Sequence, residues 1–104
     1  MSYHEHTDHD YAKHIRAGAP KAFNAFAAWD SQVMRGADKV IPRKYTELMA
    51  VAVALTTQCP YCIEAHAGAA HSAGANQQEP AETIMIAAAL RCARAAVMPT
   101  ASWR

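Results

Sequence analysis

Two neighbouring runs decide how this chain folds: Tyr45-Thr46-Glu47-Leu48-Met49-Ala50-Val51-Ala52-Val53-Ala54-Leu55 and Cys59-Pro60-Tyr61-Cys62-Ile63-Glu64-Ala65-His66. The first is apolar nearly all round, with Thr46 and Glu47 its polar members. Its alanine content and the lack of hairpin turn signals predict a helix, not a strand. A helix of that composition is expected to be buried on most sides. Thr56-Thr57-Gln58 then breaks the pattern. Pro60 suits a first helical position, which makes Cys59 the cap of a further helix that Gly74 ends.

That helix carries the chemistry. Successive residues rotate by about 100° around a helix axis. Cys62 and His66 therefore stack on one face, while His71 falls on the far side near Glu64. A thiol in the first turn faces unpaired N–H groups and the positive end of the dipole, and both favour the thiolate. His66 can take the thiol proton or hand one to a leaving group. Cys59 can attack an oxidised Cys62, closing a disulfide. The plainer alternative is two small buried cysteines and a core histidine. Glu47 has two open readings: a buried carboxylate paired with His66 or a nearby water, or a solvated residue near its helix N-terminus.

Working outward, the fold class is all-α, with about five helices. Residues 1–9 read as a flexible polar arm, and residues 10–104 as a single helical domain. A first helix is expected from about Asp10 to Ala17, ended by Gly18. A second opens at Pro20, places Phe23, Phe26, Ala27, Val33 and Met34 near one face, and stops at Gly36. Ala37 to Ile41 connects to a helix opened by Pro42. The last helix is expected from Pro80, with Glu79 and Glu82 favourable against its dipole, to about Val97, before Pro99. Cys92 is expected to pack within that helix, and Trp29 and Trp103 have no chemical context.

Of the 104 residues, 52% are hydrophobic, many of them alanine. A core this small is marginal alone, so a homo-oligomer is expected in preference to an alanine-rich monomer. The net charge is +1 with dispersed Lys and Arg, which gives no case for nucleic acid or an anionic membrane. The N-terminus lacks the apolar run of a signal peptide, and the stretch from Leu48 to Leu55 is too short to span a bilayer. A cytoplasmic protein is expected. Its three cysteines, two of them in a Cys-x-x-Cys, suit redox or metal chemistry better than a secreted disulfide scaffold. His4, His6, His9 and His14 could capture a metal, but with no scaffold nearby a solvated arm is the better reading. Cys59, Cys62, His66 and Glu47 could together make a zinc site, a minor alternative. Neither a cofactor nor a metal is otherwise required.

Glu47, Cys59, Cys62 and His66, in the order Glu-x11-Cys-x-x-Cys-x3-His, resemble the signature of the alkylhydroperoxidase D-like branch of the carboxymuconolactone decarboxylase superfamily. The resemblance runs from about Ala19 to Val97. It implies an all-α fold assembled as a trimer or hexamer, and peroxidase or disulfide-reductase activity. It also implies Cys62 as the reactive thiol, Cys59 as the resolving one, and His66 and Glu47 as the proton relay. Tyr61 stands where the best-known members have a histidine, and could donate a hydrogen bond as a relay. The implied substrate is a hydroperoxide or a disulfide. The implied reductant is a dithiol carrier, lipoyl or thioredoxin-like. Cys-Pro-Tyr-Cys is also similar to the glutaredoxin motif. That fold needs further strands and a later Val-Pro segment, and after Ala73 this chain offers helix.

Three functions therefore compete. One is a thiol enzyme for peroxides or disulfides. Another is a non-redox lyase of the same superfamily, with His66 and Glu47 as acid and base. The third is a zinc-binding or redox-sensing module without turnover.

Overall fold

Prolines and glycines mark most of the helix boundaries. The computed structural model describes residues 12–102, with side chains through residue 93. Five α-helices follow one another among the described residues: α1 (Ala12–Gly18), α2 (Pro20–Arg35), α3 (Arg43–Thr57), α4 (Pro60–Ser72) and α5 (Gln78–Ser102). No strand occurs among them, so the fold is all-α as expected. The arm of residues 1–9, with His4, His6 and His9, and Trp103 lie outside the described residues. His14 is exposed on α1. No described helix is long and apolar enough to cross a membrane. The chain divides after Arg43 into two compact units.

In the first unit α1 hands over to α2 with little interruption. The Ala19 N–H donates to Ile15 O at 2.9 Å, and the Phe23 N–H to Ala19 O at 2.9 Å. Pro20 takes the first turn of α2, where its missing N–H has no partner to lose. The Arg16 guanidinium lies 5.0 Å over the Phe23 ring, a cation–π contact between the two helices. Of the apolar face expected on α2, Phe23 and Met34 are half-buried, whereas Phe26, Ala27 and Val33 are exposed. Gly36 ends α2 because of a close approach: a Cβ there would meet Gln32 O at 2.6 Å.

The second unit is built on α3. Thr46, Glu47, Leu48, Val51 and Ala54 are buried, while Tyr45, Met49 and Val53 are exposed. This corrects the expectation of burial on most sides. The exposed residues recur every fourth position, so they form one exposed stripe along α3. Leu48 packs with Ala70 of α4 and with Ala75. Burying a leucine contributes about 2 kcal/mol, and the alanines contribute chiefly by letting the helices approach.

Gly74, at φ +102, terminates α4. The Ala75 N–H reaches back to Ala70 O at 2.9 Å and the Gly74 N–H to His71 O at 3.0 Å, a Schellman turn. The next helix starts earlier than expected, at Gln78 and not Pro80. Asn76 Oδ1 accepts from the N–H groups of Gln78 and Glu79, both at 2.9 Å, while Glu79 Oε1 accepts from the Asn76 N–H at 3.0 Å. This reciprocal capping box satisfies donors ahead of the proline and moves the boundary. Asn76→Ala is expected to cost about 1 kcal/mol, read as a lower urea midpoint at unchanged slope. The far end is also later than expected, because α5 continues through Pro99 to Ser102. A proline removes one helical hydrogen bond, which does not always end a helix.

Lys44 Nζ lies 3.0 Å from Glu79 Oε2, joining the start of α3 to the start of α5. The Asn76 N–H, and then the Lys44 ammonium, hold the Glu79 carboxyl below its ordinary 4.5. The hydrogen bond to Glu79 holds the Lys44 ammonium above its ordinary 10.5. The carboxylate's contribution is present above its unfolded value and is lost as pH falls through the lowered folded one. The ammonium's contribution is present below its unfolded value and is lost as pH rises through the raised folded one. A Lys44→Met, Glu79→Gln variant should therefore lose stability relative to the parent between these limits. The two melting curves should converge in acid, which a thermal melt series across pH would show.

Candidate functional site

The site is assembled where α3 gives way to α4. Gln58, at φ +57, is the one non-glycine residue with a positive φ among those described. Its left-handed turn lets the Cys59 N–H bond to Ala54 O at 3.1 Å, the longer link of a Schellman motif. Cys59 thereby ends one helix and caps the next. Its Sγ accepts from the Cys62 N–H at 3.3 Å, and Pro60 occupies the first turn of α4. The two sulfurs are paired as a disulfide, with Cα atoms 5.3 Å apart. Both cysteines are half-buried, so they are reachable from solvent.

One turn further along α4, His66 Nδ1 donates to Glu47 Oε2 at 2.7 Å. The Glu47 side chain is 1% exposed and that of His66 is 28% exposed. Of the two readings left open for Glu47, burial against His66 is the one observed. The carboxylate fixes the orientation of the ring. In the neutral imidazole it leaves Nε2 as the proton-accepting nitrogen. Glu47 of α3 and His66 of α4 are thus paired across the two helices, and Cys59 and Cys62 are paired at the start of α4, with Tyr61 exposed on its first turn. His71 is exposed in the last turn of that helix. Among the described residues no group of three or more His, Cys, Asp or Glu is arranged to hold a metal ion.

Cys92 corrects its expectation: it is a free thiol and exposed, not buried in α5 packing. Leu90, two residues earlier and on the other side of α5, is exposed as well.

Two contributors to the junction were not anticipated. Gln58 carries the left-handed turn, and glutamine gives no sequence signal for it. Glycine at this position relieves the steric cost of that conformation. Gln58→Gly should therefore gain about 1 kcal/mol, and a lower urea midpoint for the variant would contradict it. Arg91 of α5 donates from Nη1 to Thr56 O at 3.1 Å, placing a cation at the negative end of α3. The two residues are far apart in sequence, and no local pattern announces the pairing.

The chain is thus all-α, with a capped Cys-x-x-Cys and a histidine paired with a buried carboxylate. The model of the carboxymuconolactone decarboxylase family matches residues 20–101, and the chain belongs to that family. It is 41% identical over 80 residues to "Uncharacterized protein 4 in cox locus" of Paracoccus denitrificans, covering 77% of this chain and 69% of that one. It is also 40% identical over 65 residues to an "Uncharacterized protein" of Haemophilus influenzae, covering 61% of this chain and 56% of that relative.

Proposed function

We propose that the chain is a thiol-dependent peroxidase or disulfide reductase of the alkylhydroperoxidase D-like branch, working through Cys62 and Cys59 with His66 and Glu47 as proton relay. The observation that supports it most is the 2.7 Å pair of buried Glu47 with His66, one turn from a disulfide-paired Cys-x-x-Cys. In the dithiol state His66 takes the Cys62 proton. The thiolate attacks the outer oxygen of a hydroperoxide; an S–O bond forms, the O–O bond breaks, and the leaving alkoxide takes the proton back from His66. Cys59 then attacks the sulfenic sulfur, an S–S bond forms, and water leaves. With a disulfide substrate, Cys62 instead forms a mixed disulfide that Cys59 resolves.

The return half fits the same roles. The Cys62 N–H bonded to Cys59 Sγ stabilises negative charge there, so Cys59 is the better leaving group. An external dithiol would therefore attack Cys62, and a lipoyl or thioredoxin-like carrier is the reductant we assign. Turnover needs a compartment that keeps returning the pair to the dithiol, which suits the cytoplasm. A lyase using only His66 and Glu47 would have no use for the cysteine pair. Full turnover by a Cys59→Ser, Cys62→Ser double variant would favour that lyase.

The apolar stripe of Tyr45, Met49 and Val53 on α3, and Ile84, Met85, Ile86 and Leu90 on α5, support a homo-oligomer, which we take to be a trimer or hexamer. Light scattering that returns a monomer would reject the assembly. For the activity, peroxide consumption and disulfide reduction would be followed with a panel of dithiol and monothiol reductants, alongside mass spectrometry of the mildly oxidised protein. Turnover with at least one dithiol, plus an intramolecular Cys59–Cys62 link, is expected. No link and no turnover with any pair would overturn the assignment.

A further inference from the structure

We propose that the turn between α2 and α3 is a binding site for a small carboxylate on a short apolar stem, separate from the thiol chemistry. A pocket of about 290 Å³ opens there. That is near the lower end of the range for small-molecule sites, about 300 Å³. Met34, Ile41 and Pro42 supply its apolar lining, and Arg35, Lys39 and Arg43 supply three cationic side chains. Among the described residues no acidic side chain lines it. Three positive charges thus gather at one small concavity, in a chain whose net charge is only +1.

The wall is fixed before any ligand arrives. The Gly36 N–H donates to Gln32 O at 3.0 Å, and the Lys39 N–H to Gly36 O at 3.2 Å. Gln32 Nε2 donates to Asp38 Oδ1 at 2.8 Å, tying the one acidic residue of the turn to α2. The close approach of Gly36 to Gln32 keeps the backbone in this path. A preformed turn lowers the ordering cost of binding. Arginine forks match a carboxylate in two-point geometry, and lysine adds a point charge. An uncharged apolar ligand would draw nothing from the charges of Arg35 and Lys39. A bare inorganic anion would leave Met34, Ile41 and Pro42 uncovered. A carboxylate with a short hydrocarbon stem satisfies both halves of the lining.

The test uses the full-length chain, isotope-labelled for amide NMR and titrated with hexanoate, hexanamide and acetate. Hexanoate should shift the amides of residues 34–43 and bind at least about tenfold more tightly than hexanamide or acetate. Arg35→Gln and Lys39→Gln should each weaken hexanoate about fivefold with the rest of the spectrum unchanged, and Lys21→Gln should leave it alone. Because a variant can disturb the turn itself, salt dependence of the unaltered protein is read as well. Raising sodium chloride from about 50 mM to about 500 mM should weaken hexanoate severalfold. Comparable binding of hexanamide or acetate, an equal effect of Lys21→Gln, indifference to salt, or shifts lying elsewhere would each overturn the proposal.

Discussion

Cys62→Ser is expected to abolish steady-state turnover, by about a thousandfold or more, while Cys59→Ser keeps one rapid reaction per active site and then stops. The asymmetry follows from what each sulfur touches. Cys62 is one turn from His66, whose Nδ1 is anchored to Glu47, so in the proposed mechanism the base acts at Cys62. Cys59 caps α4 and receives the Cys62 N–H, so the helix end acts at Cys59. The first arrangement favours attack on substrate and the second favours departure during resolution and reduction. A serine hydroxyl at position 62 stays protonated near neutral pH and cannot accept oxygen from a peroxide or form a mixed disulfide. With serine at position 59, Cys62 still attacks once, and its sulfenic acid or mixed disulfide accumulates with nothing to resolve it. Rapid-mixing measurement of the first turnover, with dimedone trapping of the sulfenic acid, separates the two variants. A burst retained by Cys62→Ser and lost by Cys59→Ser would reverse the roles.

What the sequence made legible was local. Pro60 after Cys59, and Gly74 at the far end, mark α4 by chemistry that acts over a few residues. The shared helical face of Cys62 and His66 is likewise arithmetic on a fixed rotation per residue. Glu47 was readable as an anomaly but not as a buried group, because its burial depends on His66 arriving from another helix. Periodicity describes one helix and says nothing of its neighbour. Asn76 and Glu79 could have been read as a capping box, but Pro80 is the louder signal and drew the boundary past it. Gln58 could not have been read at all. Its left-handed turn is imposed by the need to close α3 on Ala54 and open α4 on Cys59 within a few residues.

The misjudged burial of Met49, Val53 and Cys92 has one cause. An apolar helix predicts core at each position, yet in the single chain each is exposed. Apolar sequence reports that a surface leaves water and does not say whether the cover comes from the same chain. Among the described residues these positions of α3 and α5 stay exposed. The alanine that dominates the composition serves the covered face, where Ala70 and Ala75 meet Leu48. Larger side chains are left for the outer stripe, a composition consistent with the oligomer proposed above.

Removing His66 is expected to have the largest effect on stability of any single change at the site. His66→Leu leaves the Glu47 carboxylate buried without its 2.7 Å hydrogen bond. Removing one partner of a hydrogen bond to a buried charged group costs about 1.5–3 kcal/mol, and the expectation here is about 2–3 kcal/mol. For a domain of this length that is a fall in melting temperature of about 10–20 °C. Glu47→Gln should cost less, about 1 kcal/mol, because its amide oxygen still accepts from Nδ1 and the negative charge is gone. In the double variant nothing is left to orphan, so its loss should fall short of the summed single losses by about 1 kcal/mol or more. Urea unfolding of all four proteins at one protomer concentration measures the coupling and holds any assembly equilibrium fixed. Strictly additive losses would mean that Glu47 and His66 act independently, and the relay assigned to them would lose its structural basis. The same set separates positioning from packing. Glu47→Gln should lower the rate of Cys62 oxidation and alter its pH profile while leaving most of the stability in place. His66→Leu should lose both together.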